Sequence, residues 1–440
     1  MPEPRRISDA SRSASRLLNV QVRDARLNAV LIAFAAVFGI CLVLCVKVVA
    51  TGTGGYRFGD FYALWCSATL AHDGSATANY DATALHLHQV ALGMHADGYN
   101  PFPYPPTFLL FLAPLGALSL GAAYVLFMGA TFAGYIAAIA GGRWRDWPYL
   151  LGAVIAPATG VTLISGQSGF LSGGLMLGAL RLTASRPAAA GVLFGMLAYK
   201  PQLAVLVPVL LLAARLWRTA AAAAMTAVIC AVVSSAAFGF GIWPAWLASL
   251  HAYSGRYEPL ARLMPTIAAN ARMLGASASS ALAIQACVAV AVAVVVWRAF
   301  RGGVTPRASA LLVAGTFLAT PHAFNYDLPM TTAAALWYLL ERLRATRALS
   351  LLEIAVLGSA LALPVAMATL GQDSPPISWA PELALFCLVA GADFRRALTV
   401  APRRVSLEPS PQVGPAEDGS PQRLGGHPPY ASEASRRLPV

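Results

Sequence analysis

Asp60 stands at the edge of an apolar run, where an ionisable side chain is costly and is by default a candidate functional group. It lies in the segment Arg57-Phe58-Gly59-Asp60-Phe61-Tyr62, with aromatic residues on both sides. A carboxyl group partly withdrawn from water gains a higher pKa and can serve as a general base. The alternative is that Asp60 caps the helix predicted to begin at Phe61.

Lys200 is unusual because the chain otherwise uses arginine. Of its 31 basic residues, 29 are arginine, and the two lysines are Lys47 and Lys200. Lys200 lies between two apolar runs and directly before Pro201, where a helix must break. A compact ammonium group there could bind a phosphate as a point charge. The alternative is an interfacial lysine that snorkels to the membrane surface, which describes Lys47 well.

A polar island, Thr320-Pro321-His322-Ala323-Phe324-Asn325-Tyr326-Asp327, interrupts two further apolar runs. His322 could donate a hydrogen bond to a phosphate oxygen. Asp327 could orient a sugar or pair with Lys200. The plainer interpretation is a structured turn in which Asp327 caps the next helix.

The polar stretch 241–277 mixes arginine with tryptophan and tyrosine. This composition is typical of anchoring at a membrane interface. One of its arginines, Arg256, could still reach an anionic head group.

The elements that position these groups are apolar helices. The chain is 58% hydrophobic and 11% charged, whereas a soluble domain carries about a quarter charged residues. An ordinary soluble protein is therefore excluded. Apolar runs separated by polar turns predict an all-α polytopic membrane protein with twelve crossings, at 28–46, 120–140, 149–164, 170–180, 188–199, 203–216, 220–240, 278–297, 308–320, 328–340, 351–370 and 382–389.

Arginine placement sets the predicted orientation, because cytoplasmic loops of membrane proteins are enriched in basic residues. With both termini inside, 25 arginines and 11 acidic residues fall on the cytoplasmic side. Four arginines, both lysines and eight acidic residues fall outside. The net charge of +12 is thus a topology signal, and no nucleic-acid partner is expected.

The predicted domains follow from these crossings. Residues 1–27 and 397–440 form cytoplasmic tails, the second of them disordered, around a membrane domain at 28–396. A first outer loop, 51–119, contains two predicted helices, Phe61–Ala71 and Ala82–Met94, and a re-entrant segment at 107–118. The stretch 241–277 forms a second outer loop. No CxxC pair, HExxH helix or phosphate-cradling glycine loop occurs, so neither a metal nor a cofactor is expected.

The polar islands, in their order along the chain, resemble those of glycosyltransferase family 87. The matching motifs are Gly59-Asp60-Phe61, Asn79-Tyr80-Asp81, Tyr104-Pro105-Pro106 with Pro114-Leu115, Gly166-Gln167, Gly191…Gly195…Lys200-Pro201 and Thr320-Pro321-His322…Tyr326-Asp327. The resemblance runs from about residue 28 to 395. One position departs from it, since many relatives carry asparagine where this chain has Gly169.

The resemblance implies a GT-C-type fold and a polyprenyl-phosphate sugar donor, with mannose as the first expectation. The acceptor would be a lipid or polysaccharide of the cell envelope, glycosylated at the outer face of the plasma membrane. Asp60 would be the general base of an inverting transfer. Donor phosphate would be bound by Lys200, His322 and Arg256, and the sugar or acceptor would be positioned by Asp81, Tyr104, Gln167, Tyr326 and Asp327.

Two other classes remain open from the sequence alone. A lipid-linked-sugar flippase or secondary transporter could use the same broken helices and charged outer ends, although such proteins more often show two related halves. A purely structural membrane protein would give no reason for Lys200 or for the His322 island.

Overall fold

The computed structural model describes residues 58–95, 98–141, 147–253, 260–344 and 349–399, with Ala36, Gly39, Ile40 and Val43 as isolated positions before them. Every regular element in these ranges is helical. The predicted tail at 1–27, the part of the predicted tail 397–440 beyond Thr399, almost all of the first predicted crossing, and Arg256 lie outside the described residues. Residues 397–399, which the sequence assigns to the second tail, are the end of the helix Ala380–Thr399. The chain up to Arg395 falls in one compact unit, and 396–440 in a second.

The α-helices of at least seven residues are numbered here in chain order. They are α1 Phe61–His72, α2 Ala82–Ala91, α3 Leu120–Ala140, α4 Trp147–Ile155, α5 Pro157–Ser165, α6 Gly169–Leu182, α7 Pro187–Met196, α8 Val207–Ala213, α9 Trp217–Phe238, α10 Ile242–Tyr253, α11 Ile267–Met273, α12 Ala278–Phe300, α13 Pro306–Ala319, α14 Pro329–Arg344, α15 Leu351–Leu370 and α16 Ala380–Thr399.

Within the described residues, four helices are long and apolar enough to cross a bilayer: α3, α9, α12 and α15. The uniform apolar composition of these segments predicts their limits well. Leu120–Ala140 and Leu351–Leu370 match the predicted bounds at both ends. The chain is thus a helical protein of polytopic membrane type.

The other apolar runs form shorter or broken helices. Proline is responsible at several of the breaks, because its ring cannot follow a helical turn and it has no N–H to donate. Pro157 separates α4 from α5. Between α7 and α8 the chain passes through two 3₁₀ turns, Leu197–Tyr199 and Pro201–Ala204, with Lys200 at the break between them.

The predicted re-entrant segment is a chain of short helical pieces, Pro106–Ala117, in which the longest α-helical piece is Leu109–Leu112. At 1.5–2.0 Å per residue its 12 residues span roughly 18–24 Å, less than the ~30 Å of a hydrocarbon core. The segment packs on α1, where Gly116 approaches the backbone of Ala68 too closely for a side chain. Trp65 donates a hydrogen bond to the carbonyl of Leu118 (3.0 Å). The segment is therefore shorter than a hydrocarbon core and is packed on α1.

Candidate active site

Two glycine turns pack back to back and position Asp60. Gly59 and Gly166 both have positive φ, +57° and +61°, a conformation in which a side chain is strained. There is also no room for a side chain at either position. A Cβ on Gly59 would overlap the carbonyl of Ile164, and a Cβ on Gly166 would overlap the carbonyl of Phe58. The amide of Asp60 donates to the carbonyl of Ser165 at 2.9 Å. The turn before α1 is therefore fixed against the break between α5 and α6.

Asp60 precedes α1 but does not cap it, since its carboxylate makes no capping hydrogen bond. The side chain turns instead to Gln167, whose Nε2 donates to Oδ2 at 3.1 Å. Asp60 is exposed to solvent, but protein atoms surround the carboxyl group on its remaining sides. The resulting desolvation raises its pKa, and the hydrogen bond from Gln167 partly offsets the rise. The group therefore has the accessibility and the raised pKa of a general base.

A proline-rich strap, defined here as residues 100–106 (Asn-Pro-Phe-Pro-Tyr-Pro-Pro), carries Tyr104 to the same place. Its four prolines have no N–H, and side chains from elsewhere hold its carbonyl groups. Gln89 bonds both the N–H and the C=O of Asn100 (3.2 and 2.7 Å). Trp246 donates to the carbonyl of Pro103 at 3.1 Å, and Tyr80 to that of Tyr104 at 2.9 Å. The Tyr104 hydroxyl then donates to Oε1 of Gln167 at 2.9 Å.

Lys200 and Asp327 form a buried ion pair. The ammonium nitrogen lies 2.6 Å from Oδ1 of Asp327, and the two side chains are 2% and 0% exposed. The rings of Tyr104 and Tyr326 flank the ammonium group, with centroids at 5.8 and 5.0 Å. Asp327 also accepts a hydrogen bond from the amide of Phe324 (3.1 Å). The pair thus joins the break between α7 and α8 to the turn before α14.

The turn that carries His322 and Asp327 is held against the α5–α6 break. Thr162 donates to the carbonyl of Tyr326 at 2.9 Å. The same carbonyl lies so close to Gly169 that a Cβ there would overlap it, so glycine at this position permits the contact. His322 packs edge-to-face on Phe324 (centroids 5.2 Å apart). Burial, reinforced by the nearby charge of Lys200, lowers the pKa of His322 to about 4. The imidazole is therefore neutral at pH 7 and can donate one N–H.

The structure brings together the predicted site residues of five different segments. They are Asp60, Tyr104, Gln167, Lys200, His322, Tyr326 and Asp327. In the predicted topology, four ends of apolar runs lie on the same side of the membrane. These ends carry Asp60, Gln167, Lys200 and Asp327. Their convergence agrees with that alternation.

Two predicted site residues make other contacts in this structure. Lys200, predicted to bind a phosphate, is paired with buried Asp327, and this pairing is one of the two roles predicted for Asp327. Asp81 is exposed and caps α2, accepting from the amides of Thr83 and Ala84, both at 2.9 Å. Among the described contacts, none links Asp81 to the cluster. The sequence cannot distinguish a capping aspartate from a binding one.

The residues missed by the sequence are those that hold the strap, above all Gln89 and Trp246. Gln89 is fully buried, yet it stands in an otherwise ordinary helical pattern. The available signal was the strap itself. Four prolines in seven residues leave carbonyl groups that must find donors elsewhere in the fold.

The sequence model of glycosyltransferase family 87 matches residues 102–321, half of the chain. The chain belongs to glycosyltransferase family 87. It is therefore a membrane glycosyltransferase, which acts on a sugar donor and an acceptor in the membrane. No curated protein and no solved structure matches it.

The matched residues include Tyr104, Gln167 and Lys200 but not Asp60, His322 or Asp327. In this family 87 glycosyltransferase the importance of Asp60 therefore rests on its contact with Gln167, which lies inside the matched region. An accessible carboxylate beside neutral and paired polar groups can accept a proton from a hydroxyl. It is a suitable arrangement for attack by an alcohol on a sugar.

Proposed function

We propose that this glycosyltransferase moves a sugar, with mannose as the first candidate, from a polyprenyl-phosphate donor to a lipid or polysaccharide acceptor. The acceptor hydroxyl gives its proton to Asp60 while its oxygen forms a bond to the anomeric carbon. The bond from that carbon to the phosphate oxygen breaks, and the phosphate leaves with the electron pair. Attack opposite to the leaving group inverts the configuration.

The observation that carries this proposal is the state of Asp60. Its carboxylate is accessible, is free of helix capping and is held by one hydrogen bond from Gln167. A base must be reachable by the substrate and must be basic enough to accept a proton. The raised pKa of Asp60 serves the second need, because a stronger base receives the proton more favourably.

The leaving phosphate is the second requirement. Neutral His322 offers an N–H, a donor that stabilises developing negative charge without becoming charged itself. Lys200 would bind the phosphate only if the phosphate displaced Asp327 from its ammonium group. Arg256, in the second outer loop, remains a candidate phosphate ligand. Tyr104, Gln167, Tyr326 and Asp327 are proposed to shape the sugar and acceptor site around Asp60. Asp81 is left outside it.

We further propose a GT-C-type fold with about twelve crossings. Both termini would lie in the cytoplasm, and the site would open at the outer face of the plasma membrane. Four helix breaks meet at the Asp60 cluster, which favours a single face for all of them. Helix fragments such as α4 with α5 supply crossings whose pieces are individually too short.

The test is sugar transfer by the purified enzyme in proteoliposomes, with radiolabelled polyprenyl-phosphate mannose as donor and cell-envelope glycolipids as acceptors. Asp60→Asn keeps the shape of the side chain and removes its basicity, so we expect transfer to fall by at least a factor of about 10². Asp73→Asn is the matched control, because Asp73 is an exposed aspartate at the other end of α1.

Folding of both variants is checked by gel filtration and circular dichroism. Transfer by folded Asp60→Asn at the wild-type rate would overturn the assignment of the base. Movement of the labelled lipid across the bilayer without a new glycosidic bond would overturn the transferase itself.

A further inference from the structure

Three polar side chains, those of Tyr104, Gln167 and Asp60, are joined by two hydrogen bonds. Tyr326 interacts electrostatically with Tyr104. The Tyr104 hydroxyl donates to Oε1 of Gln167 at 2.9 Å. The amide of Gln167 donates to Oδ2 of Asp60 at 3.1 Å. Tyr104, Gln167 and Tyr326 are buried, so water does not compete for these groups.

The direction of both hydrogen bonds is determined by the carboxylate at one end. An ionised carboxylate only accepts hydrogen bonds, so the Gln167 group that faces Asp60 must be the NH₂. Its carbonyl oxygen then faces Tyr104, which must donate. Both donors therefore point towards Asp60.

We infer that Tyr104 is a positioning residue for the base: its hydroxyl holds the Gln167 amide with the NH₂ group towards Asp60. This inference rests on the proposed function of Asp60 and deepens it. It gives the strap a role beyond packing, because the strap positions the Tyr104 hydroxyl. That hydroxyl determines whether the NH₂ group or the carbonyl oxygen of Gln167 faces the Asp60 carboxylate.

The alternative orientation of Gln167 shows why the hydroxyl is needed. If the amide turned over, its carbonyl oxygen would face Asp60 and would accept a hydrogen bond from the protonated acid. That arrangement favours the neutral carboxyl group and raises its pKa, so the ionised form that accepts the proton is less populated. In the native protein the flip would leave the Tyr104 proton without an acceptor in a buried position, which is costly. Without the hydroxyl, that penalty disappears.

The surroundings of Asp60 contain few other titratable groups among the described residues. Tyr104 and Tyr326 interact with it electrostatically. Beyond them lie the Lys200–Asp327 pair, whose charges cancel, and the neutral His322. In this part of the chain, the amide of Gln167 is the hydrogen-bond donor to the carboxylate, so a change in its orientation reaches the base directly.

The experiment is an infrared pH titration of the purified full-length protein in detergent, with no substrate present. The protonated carboxyl band of Asp60 is identified as the band that disappears in Asp60→Asn. We expect Tyr104→Phe to raise the titration midpoint by about half a pH unit and Gln167→Ala by about one. The double variant should match Gln167→Ala alone, because Tyr104 acts through the amide.

Tyr135→Phe is the matched control. It removes another fully buried hydroxyl that donates to a backbone carbonyl, that of Pro329, and takes no part in these two hydrogen bonds. Its midpoint should equal that of the wild-type protein. If Gln167→Ala does not fold, Gln167→Met, which keeps most of the side-chain volume and removes the amide, replaces it and should shift the midpoint in the same direction as Tyr104→Phe.

A wild-type midpoint in folded Tyr104→Phe would overturn the inference, as would a shift that adds fully to that of Gln167→Ala. Neither result bears on the proposed function, which fails separately if Asp60→Asn retains sugar transfer.

Discussion

The buried pair of Lys200 and Asp327 permits a test that separates a structural role from a catalytic one. Lys200→Met removes the ammonium group and keeps most of the side-chain volume. Asp327→Asn removes the charge and keeps an oxygen that can accept from the amide of Phe324, as Oδ2 does at 3.1 Å. The double variant buries two neutral side chains in the same space.

The expected size follows from the geometry of the pair. At 2.6 Å the Coulomb attraction is about 6 kcal/mol for an effective dielectric constant of 20. Much of this is offset by the desolvation of two groups that are 2% and 0% exposed. Removing one partner leaves an unpaired buried charge, so each single variant should lose about 3–5 kcal/mol. For a chain of this length, the melting temperature falls by on the order of 5 °C.

The assay is thermal or denaturant unfolding of the purified variants in one detergent, followed by sugar transfer in proteoliposomes. We expect the double variant to recover at least about 2 kcal/mol relative to either single variant. If it also regains transfer, Lys200 supports the fold. If it is stable but inactive, the two charged groups are required for transfer itself and not only for the stability of the fold. Single variants as stable as the wild-type protein, or a double variant no more stable than the singles, would refute the reasoning.

Two further predictions concern the other predicted site residues. Asp81→Ala removes the cap of α2 and should cost about 1 kcal/mol of stability without lowering transfer; a transfer rate reduced tenfold in the folded variant would return Asp81 to the site. His322→Gln should lower transfer but leave the shape of its pH profile unchanged between about pH 5 and 8, because a pKa of about 4 keeps the imidazole neutral throughout that range. Loss of an ionisation near pH 6 in the variant's profile would contradict the neutral form.

The sequence predicts the helices best where composition alone decides. α3 contains no charged residue. In α15 the one charged residue, Glu353, lies in the first turn, where it forms a capping box with Ser350 and so marks the start of the helix. The two helices of the first outer loop also lie where they were predicted, with α1 one residue longer and α2 three residues shorter. The limits of the shorter helices are harder to predict. A proline indicates where a helix breaks, but it does not indicate how the two resulting helices pack.

The identities of the candidate site residues could be predicted more readily than their ion pairs and hydrogen bonds. The order of polar islands points to Asp60, Gln167, Lys200 and Asp327, but only packing reveals which charges are paired. Lys200 and Asp327 are 127 residues apart, so the neutralising contact cannot be seen locally. Asp81 shows the opposite case, since its contacts lie within three residues and a general capping rule explains them.

The strap also has a consequence for how the enzyme matures. Its donors come from α2, from the turn before α2 and from α10, and Trp246 is 143 residues away from Pro103 in the chain. Contacts of such long separation are the slow ones in folding, since the intervening chain must be ordered first. Tyr104 is therefore expected to reach Gln167 only after α10 has docked on the strap. A partly assembled enzyme carries Asp60 without its hydrogen-bond chain, so catalytic competence is expected to arise late, as a property of the completed fold.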